Sequence, residues 1–174
     1  ILAKIIGKLL AVLNGEESPR QIAAGFAFGA WIGLLPLVGI FPLLFGLFAF
    51  LINVNLAIAA VATLVFKLFA YFIDPLANQL GFYLLTKMPA LKPFWTELYN
   101  MPVVPYTRFN NTIVLGSLVI GFLLLVPNYF FAKKMLVAYR ERYRPHIQKW
   151  KIVQVFKASS IFRWYETFKG IRGE

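Results

Sequence analysis

The stretch that decides the fold runs from residue 18 to residue 67 and reads SPRQIAAGFAFGAWIGLLPLVGIFPLLFGLFAFLINVNLAIAAVATLVFK. Between Arg20 and Lys67 it carries no charged side chain. A helix of about 20 apolar residues crosses the hydrocarbon of a bilayer. A run more than twice that length therefore reads as membrane segments rather than as a soluble core. Within it stand Gly25, Gly29 and Gly33. Residues four apart share one helical face, and a stripe of glycine lets another backbone come close. These three are expected to form a helix-packing seam. The alternative is a lipid or substrate groove floored by exposed backbone.

Local signals divide the run. Ser18, Pro19 and Gln21 match a capping box with proline in the first turn, so a helix is expected from Pro19 to about Leu35. The segment Pro36-Leu37-Val38-Gly39, with Pro42 just beyond, supplies a hairpin turn. A second helix follows from about Ile40 to Ile52, ended by Asn53 and Asn55. At 1.5 Å per residue the two reach roughly 24 and 20 Å, short of about 30 Å of hydrocarbon. They are read as a re-entrant hairpin in preference to two thin spans. Either way the chain returns to the side it started from.

Outward from this hairpin, Leu56 to Ile73 is long enough to cross, with Asn55 as N-cap. Asp74-Pro75 reads as the start of a further helix to Thr86, joined at a kink. Residues 87–111 hold Pro89, Pro93, Pro102 and Pro105 among Trp95, Tyr99 and Tyr106, which suits an extracytoplasmic loop at headgroup level. Residues 112–132 form the clearest single span, kinked near Pro127. Residues 1–14 read as an amphipathic helix with Lys4 and Lys8 on one face, lying in the interface or packed on the rest of the protein. Residues 133–174 form a basic tail, its helix expected to run to Arg144 and stop at Pro145. The layout is thus 1–14, the membrane domain 18–86, the loop, the span and the tail.

Composition agrees. The 174 residues are 60% hydrophobic, against about 45–50% apolar in ordinary domains, and mean hydropathy is +0.70. The formal net charge is +11. From Lys133 onward eleven Lys and Arg face Glu141, Glu166 and Glu174. Beside membrane spans this bias places both termini in the cytoplasm, a more economical reading than nucleic-acid binding. Lys133, Lys134, Lys149, Lys151, Lys157, Arg163 and Lys169 are the expected contacts to anionic headgroups. A docking segment for a partner protein is the competing reading of the tail. The first residues do not read as a signal peptide, and a chain opening on Ile1 suggests that its natural start lies further upstream.

Few residues could carry chemistry. There is no cysteine, and His146 is the sole histidine, so neither a zinc site nor a nucleophilic triad is assembled. No cofactor-binding motif is present, and an enzyme is not expected. Lys67 and Asp74 are the only charged groups between Arg20 and Lys87. Charged groups in spans suggest function by default. Seven residues apart on a helix, they could share a face, pair, or line a wet path. The structural alternatives are that Asp74 caps a helix and that Lys67 snorkels or contacts carbonyls.

Ser18-Pro19-Arg20, Ala24-Gly25, Gly29, Gly33, Pro36, Gly39 and Asn55 together resemble the bacterial membrane family catalogued as domain of unknown function 2062. The resemblance covers about Ser18 to Leu85. It implies a small multi-pass protein of the bacterial inner membrane without an established activity. Members often carry Asn-Pro after the third apolar segment; here that region reads Leu64-Val65-Phe66-Lys67-Leu68, with Asp74-Pro75 later. The expected fold is all-α and polytopic, with a short-helix hairpin and interfacial helices. The expected role is a non-enzymatic subunit, anchor or lipid-handling partner of a larger envelope complex, in contact with lipids and other membrane proteins. The alternative is a small transporter or channel using Lys67 and Asp74.

Overall fold

Proline at position 36 confines Leu35 to extended backbone (φ −74°, ψ 150°), and the first long helix has to stop there. The computed structural model of the chain describes Val12, residues 17–37 and residues 39–143. The remainder of the amphipathic segment 1–14, and the tail positions Lys149, Lys151, Lys157, Arg163 and Lys169, lie outside the described residues. Those described form helices and turns only: α1 (Pro19–Leu34), α2 (Ile40–Leu51), α3 (Leu56–Phe82), α4 (Lys92–Asn100) and α5 (Thr112–Ala138). Wider π turns at Tyr83–Lys87 and Tyr139–Tyr143 extend α3 and α5.

Side chains at the ends account for the boundaries. Ser18 Oγ accepts from Arg20 N at 3.3 Å and opens α1. Asn53 adopts left-handed backbone (φ 56°) after α2, a conformation asparagine tolerates better than most residues. Asn55 Oδ1 then accepts from Ile58 N at 2.8 Å and opens α3. Asn111 does the same for α5, accepting from Ile113 N and Val114 N. Pro42 lies in the first turn of α2, where its missing N–H costs no helical bond, rather than in the turn before it.

Packing turns on the glycines. A Cβ added at Gly25 would overlap the backbone of Asn55; at Gly29, that of Ala59; at Gly33, that of Thr63. Each pair is separated by the same number of residues, so α1 and α3 run parallel in constant register. Gly81 meets Thr112 and Gly116 meets Ala77 in reversed order, so α3 and α5 run antiparallel. The core is a three-helix bundle of α1, α3 and α5. α2 returns along its flank and leaves Leu43, Leu47 and Leu51 well exposed. Both ends of the α1–α2 hairpin therefore sit at the base of the bundle, where Asn55 N donates to Gln21 O.

Two expectations are corrected. Asp74 does not cap a new helix: α3 runs unbroken from Leu56 to Phe82 through Pro75. Pro75 removes one backbone donor, but Ala70, Ala77 and Gly81 on either side are buried and clamp the helix in place. Residues 87–111 are not a plain loop. They contain α4, pinned by Trp95 Nε1 donating to Leu84 O at 3.0 Å and by Trp95 stacking on buried Phe109.

Gly46 on α2 has open space around its Cα. Gly29→Val should cost about 2 kcal/mol or more, because the obstructing atoms are backbone and cannot rotate away. Gly46→Ala should be neutral or stabilising by up to about 1 kcal/mol through helix propensity. Thermal unfolding in detergent checks the pair. Equal effects of the two would refute the packing argument.

Candidate functional site

Three polar groups of the bundle, Thr63, Lys67 and Asp74, lie along one face of α3. Lys67 stands level with the end of α1, and its Nζ donates to Leu35 O at 3.0 Å. That carbonyl sits at the C-terminus of α1, where helical acceptors are unpaired and the helix dipole is negative. Leu35 is fully buried. The ammonium thus meets a buried helix end, and of the readings open for Lys67 this is the carbonyl contact.

A turn closer to the base, the Thr63 hydroxyl lies 2.9 Å from Ala59 O and 3.1 Å from Gly29 O, tying α3 to α1 at the point of closest approach. On the α5 side, Trp31 Nε1 donates to Leu118 O at 3.1 Å. The indole lies over Gly121 and beside Phe45 at a ring separation of 4.2 Å, so one side chain joins α1, α2 and α5.

The base is closed by a separate network. Asn55 Nδ2 donates to the Glu17 carboxylate, and Arg140 Nη1 donates to Glu17 O at 2.8 Å. Arg140 Nη2 also reaches Val12 O at 3.5 Å. Val12, Ile22, Ile58 and Leu136 pack together beneath these groups. The far end is closed by the chain after α4. Thr107 and Arg108, the latter left-handed at φ 58°, line a small cleft with Pro36, Gly39 and Pro42.

Lys67 and Asp74 share a face of one continuous helix, yet no bond joins them. Asp74 is half-buried, and its carboxylate has no hydrogen-bond or ion-pair partner among the described residues. Ser117 is fully buried on α5, and its Oγ also lacks a partner. Lys133 and Lys134 lie on the last turns of α5, half-buried and exposed respectively.

Sequence reasoning missed Trp31, Thr63, Ser117 and Arg140. Trp31 carried a signal: it is the single tryptophan of the uncharged run, two residues after Gly29. Thr63 carried another, as a hydroxyl in the register of the glycines. Arg140 had none, since it is one cation among many in the basic segment.

A family described as uncharacterized protein conserved in bacteria (DUF2062) matches residues 4–144, a longer stretch than the motif at residues 18–85 indicated. An uncharacterized protein of Treponema pallidum (strain Nichols) is 28% identical over 146 residues, covering 84% of this chain and 90% of that protein. No solved structure matches the chain.

Replacing Lys67 with Met removes the donor and leaves the Leu35 carbonyl buried and unpaired, which should cost about 1–2 kcal/mol. Lys67→Arg keeps a donor and should recover most of it. Chemical denaturation of both variants checks this, and a Met variant as stable as the parent would exclude the helix-end role.

Proposed function

The chain belongs to the bacterial DUF2062 family of uncharacterized proteins, and on that premise we propose that it is a non-enzymatic polytopic protein of the inner membrane. It acts as an anchor or lipid-handling subunit of a larger envelope complex. One observation carries the reading: three of the polar side chains inside the bundle are spent on its own backbone. Lys67, Thr63 and Trp31 each donate to a carbonyl of a neighbouring helix. A chain that commits its few interior donors to assembly is built as a scaffold.

The outer surface supports membrane residence. The stretches Leu56–Lys87 and Thr112–Arg142 are long and apolar enough to cross a bilayer by length and composition. They turn Leu64, Leu68, Phe72, Leu123, Val126 and Phe130 outward. In water such a surface would aggregate; in lipid it is ordinary. The hairpin is the re-entrant element. Its ends share the base with the basic end of α5, and its tip lies under residues 107 and 108. Backbone at membrane depth is tolerated where protein covers it, and Leu35 at the end of α1 is buried. Lys133, Lys134, Arg140 and Arg142 support a cytoplasmic base by the positive-inside bias.

The contact of Lys67 with Leu35 O favours this reading over the alternative, a small transporter or channel using Lys67 and Asp74.

The chain has no cysteine, so single cysteines report topology cleanly. In intact cells Tyr99→Cys should label with a membrane-impermeant maleimide from the periplasm. Asn53→Cys should label only after the cytoplasmic face is opened. Leu37→Cys, at the hairpin tip, should stay largely protected in both cases. Periplasmic labelling of residue 37 at the rate of residue 99 would mean that α1 and α2 cross fully. Affinity purification in mild detergent tests the subunit role: a stoichiometric protein or lipid companion is expected, and a bare monomer retaining neither would contradict it.

A further inference from the structure

Asp74 stands at the edge of the α3–α5 seam, beside polar groups of α3 that the bundle leaves uncovered. At about 100° per residue, Ala70 and Ala77 lie on one side of it and Tyr71 and Asn78 on the other. Burial follows that division. Ala70 and Ala77 are buried, Asp74 is half-buried, Asn78 is exposed, and Tyr71 is 80% exposed. Spaced by three and four residues, positions 71, 74 and 78 are neighbours on one helix face. The Asp74 carboxylate and the Tyr71 hydroxyl have no hydrogen-bond partner among the described residues. Asn78 accepts from the Thr112 hydroxyl, and its amide donors have no partner there either. Further round α3 come exposed Leu68, Phe72 and Leu76.

We infer that this face of α3 receives a transmembrane helix of a partner protein that sets a single Lys or Arg against Asp74. The inference rests on the membrane reading proposed above and names the chemistry of the companion subunit. Charge complementarity selects that occupant. A carboxylate at membrane depth calls for a cation. α1 after Arg20, α2, and α5 before Lys133 hold no charged residue, and Lys67 donates to Leu35 O. Lipid ammonium lies too far away: at 1.5 Å per residue, Asp74 is roughly 27 Å from Leu56 and roughly 20 Å from Lys87, the ends of the long apolar stretch. A second copy docked through the same face would set carboxylate against carboxylate. An extended segment would strand its backbone polar groups in lipid, whereas a helix satisfies its own. The incoming cation donates to the carboxylate and to the Tyr71 hydroxyl oxygen one turn away. Leu68, Phe72 and Leu76 supply apolar surface for the rest of the helix.

The test places the full chain, carrying a donor dye at Tyr99→Cys, in phosphatidylcholine vesicles with acceptor-labelled synthetic leucine helices. One helix has a lysine at mid-length and the other has none. Energy transfer against the peptide-to-lipid ratio reads association. The lysine helix should bind about tenfold more tightly than the all-leucine helix. Asp74→Asn should abolish that preference, and Asp74→Glu should retain it. The comparison of the two helices on a chain with Asp74 in place stands even where a variant fails to fold. Equal binding of the two helices overturns the inference, as does a preference that persists in Asp74→Asn. Disulfide-linked dimers of Tyr71→Cys, with no preference for the lysine helix, would assign the face to a second copy and overturn it too. Carbonate extraction of the vesicles separates the two levels of failure. A chain that washes off contradicts the membrane reading and this inference with it. A chain that stays in and ignores the lysine contradicts this inference alone.

Discussion

Everything else in the bundle depends on the contact between two backbones, α1 at Gly25, Gly29 and Gly33 against α3 at Asn55, Ala59 and Thr63. In the membrane setting proposed for the chain, lipid offers no hydrophobic drive for helices to associate, so shape and hydrogen bonding have to supply it. Glycine contributes by absence. With no Cβ on α1, the carbonyl oxygens of α3 approach to the distance of weak Cα–H···O contacts, each worth perhaps 0.5–1 kcal/mol. The contact repeats at three successive turns without slipping. That closeness lets Thr63 reach Gly29 O and lets Lys67 reach Leu35 O.

The same contact explains the hairpin. α1 is held parallel to the first half of α3 and ends where Lys67 takes over its terminal carbonyl. α3 continues for roughly 22 Å to Phe82, where α5 replaces α1 as its partner through Gly81 and Gly116. Two glycine-lined interfaces thus divide one long helix between two neighbours. The space above the hairpin tip is filled by the chain after α4, through Thr107, Arg108 and buried Phe109. α2 touches the bundle chiefly through Phe28, Trp31 and the stacking of Phe45 on that indole.

Much of this was legible in the sequence because it is local. Glycine spacing, the proline after Leu35, and the asparagines before α3 and α5 each act within one turn, and the helices of the hairpin end within a residue of their expected bounds. What was illegible is tertiary. Asp74-Pro75 has the chemistry of a helix start, and burial of Ala70, Ala77 and Gly81 on either side keeps α3 running through it. Lys67 could have snorkelled or paired; its acceptor lies 32 residues away in sequence. Arg140 was one cation among many in the basic segment, and it reaches back across 123 residues to Glu17 O. Trp95 looked like a belt residue and is turned inward onto Leu84 O. The unpaired Ser117 hydroxyl appears only once its surroundings are assembled.

The most direct measurement of the central contact is a solid-state NMR distance in lipid bilayers, between the assigned Cα of Gly29 and the carbonyl carbon of Ala59. The account predicts a strong dipolar coupling, with the atoms within about 4.5 Å, the limit of van der Waals contact. It also predicts that the coupling collapses in Gly25→Val, one turn away on the same seam. Absence of coupling in the unaltered chain, with both helices intact, would mean that α1 and α3 do not meet backbone to backbone, and would contradict the account.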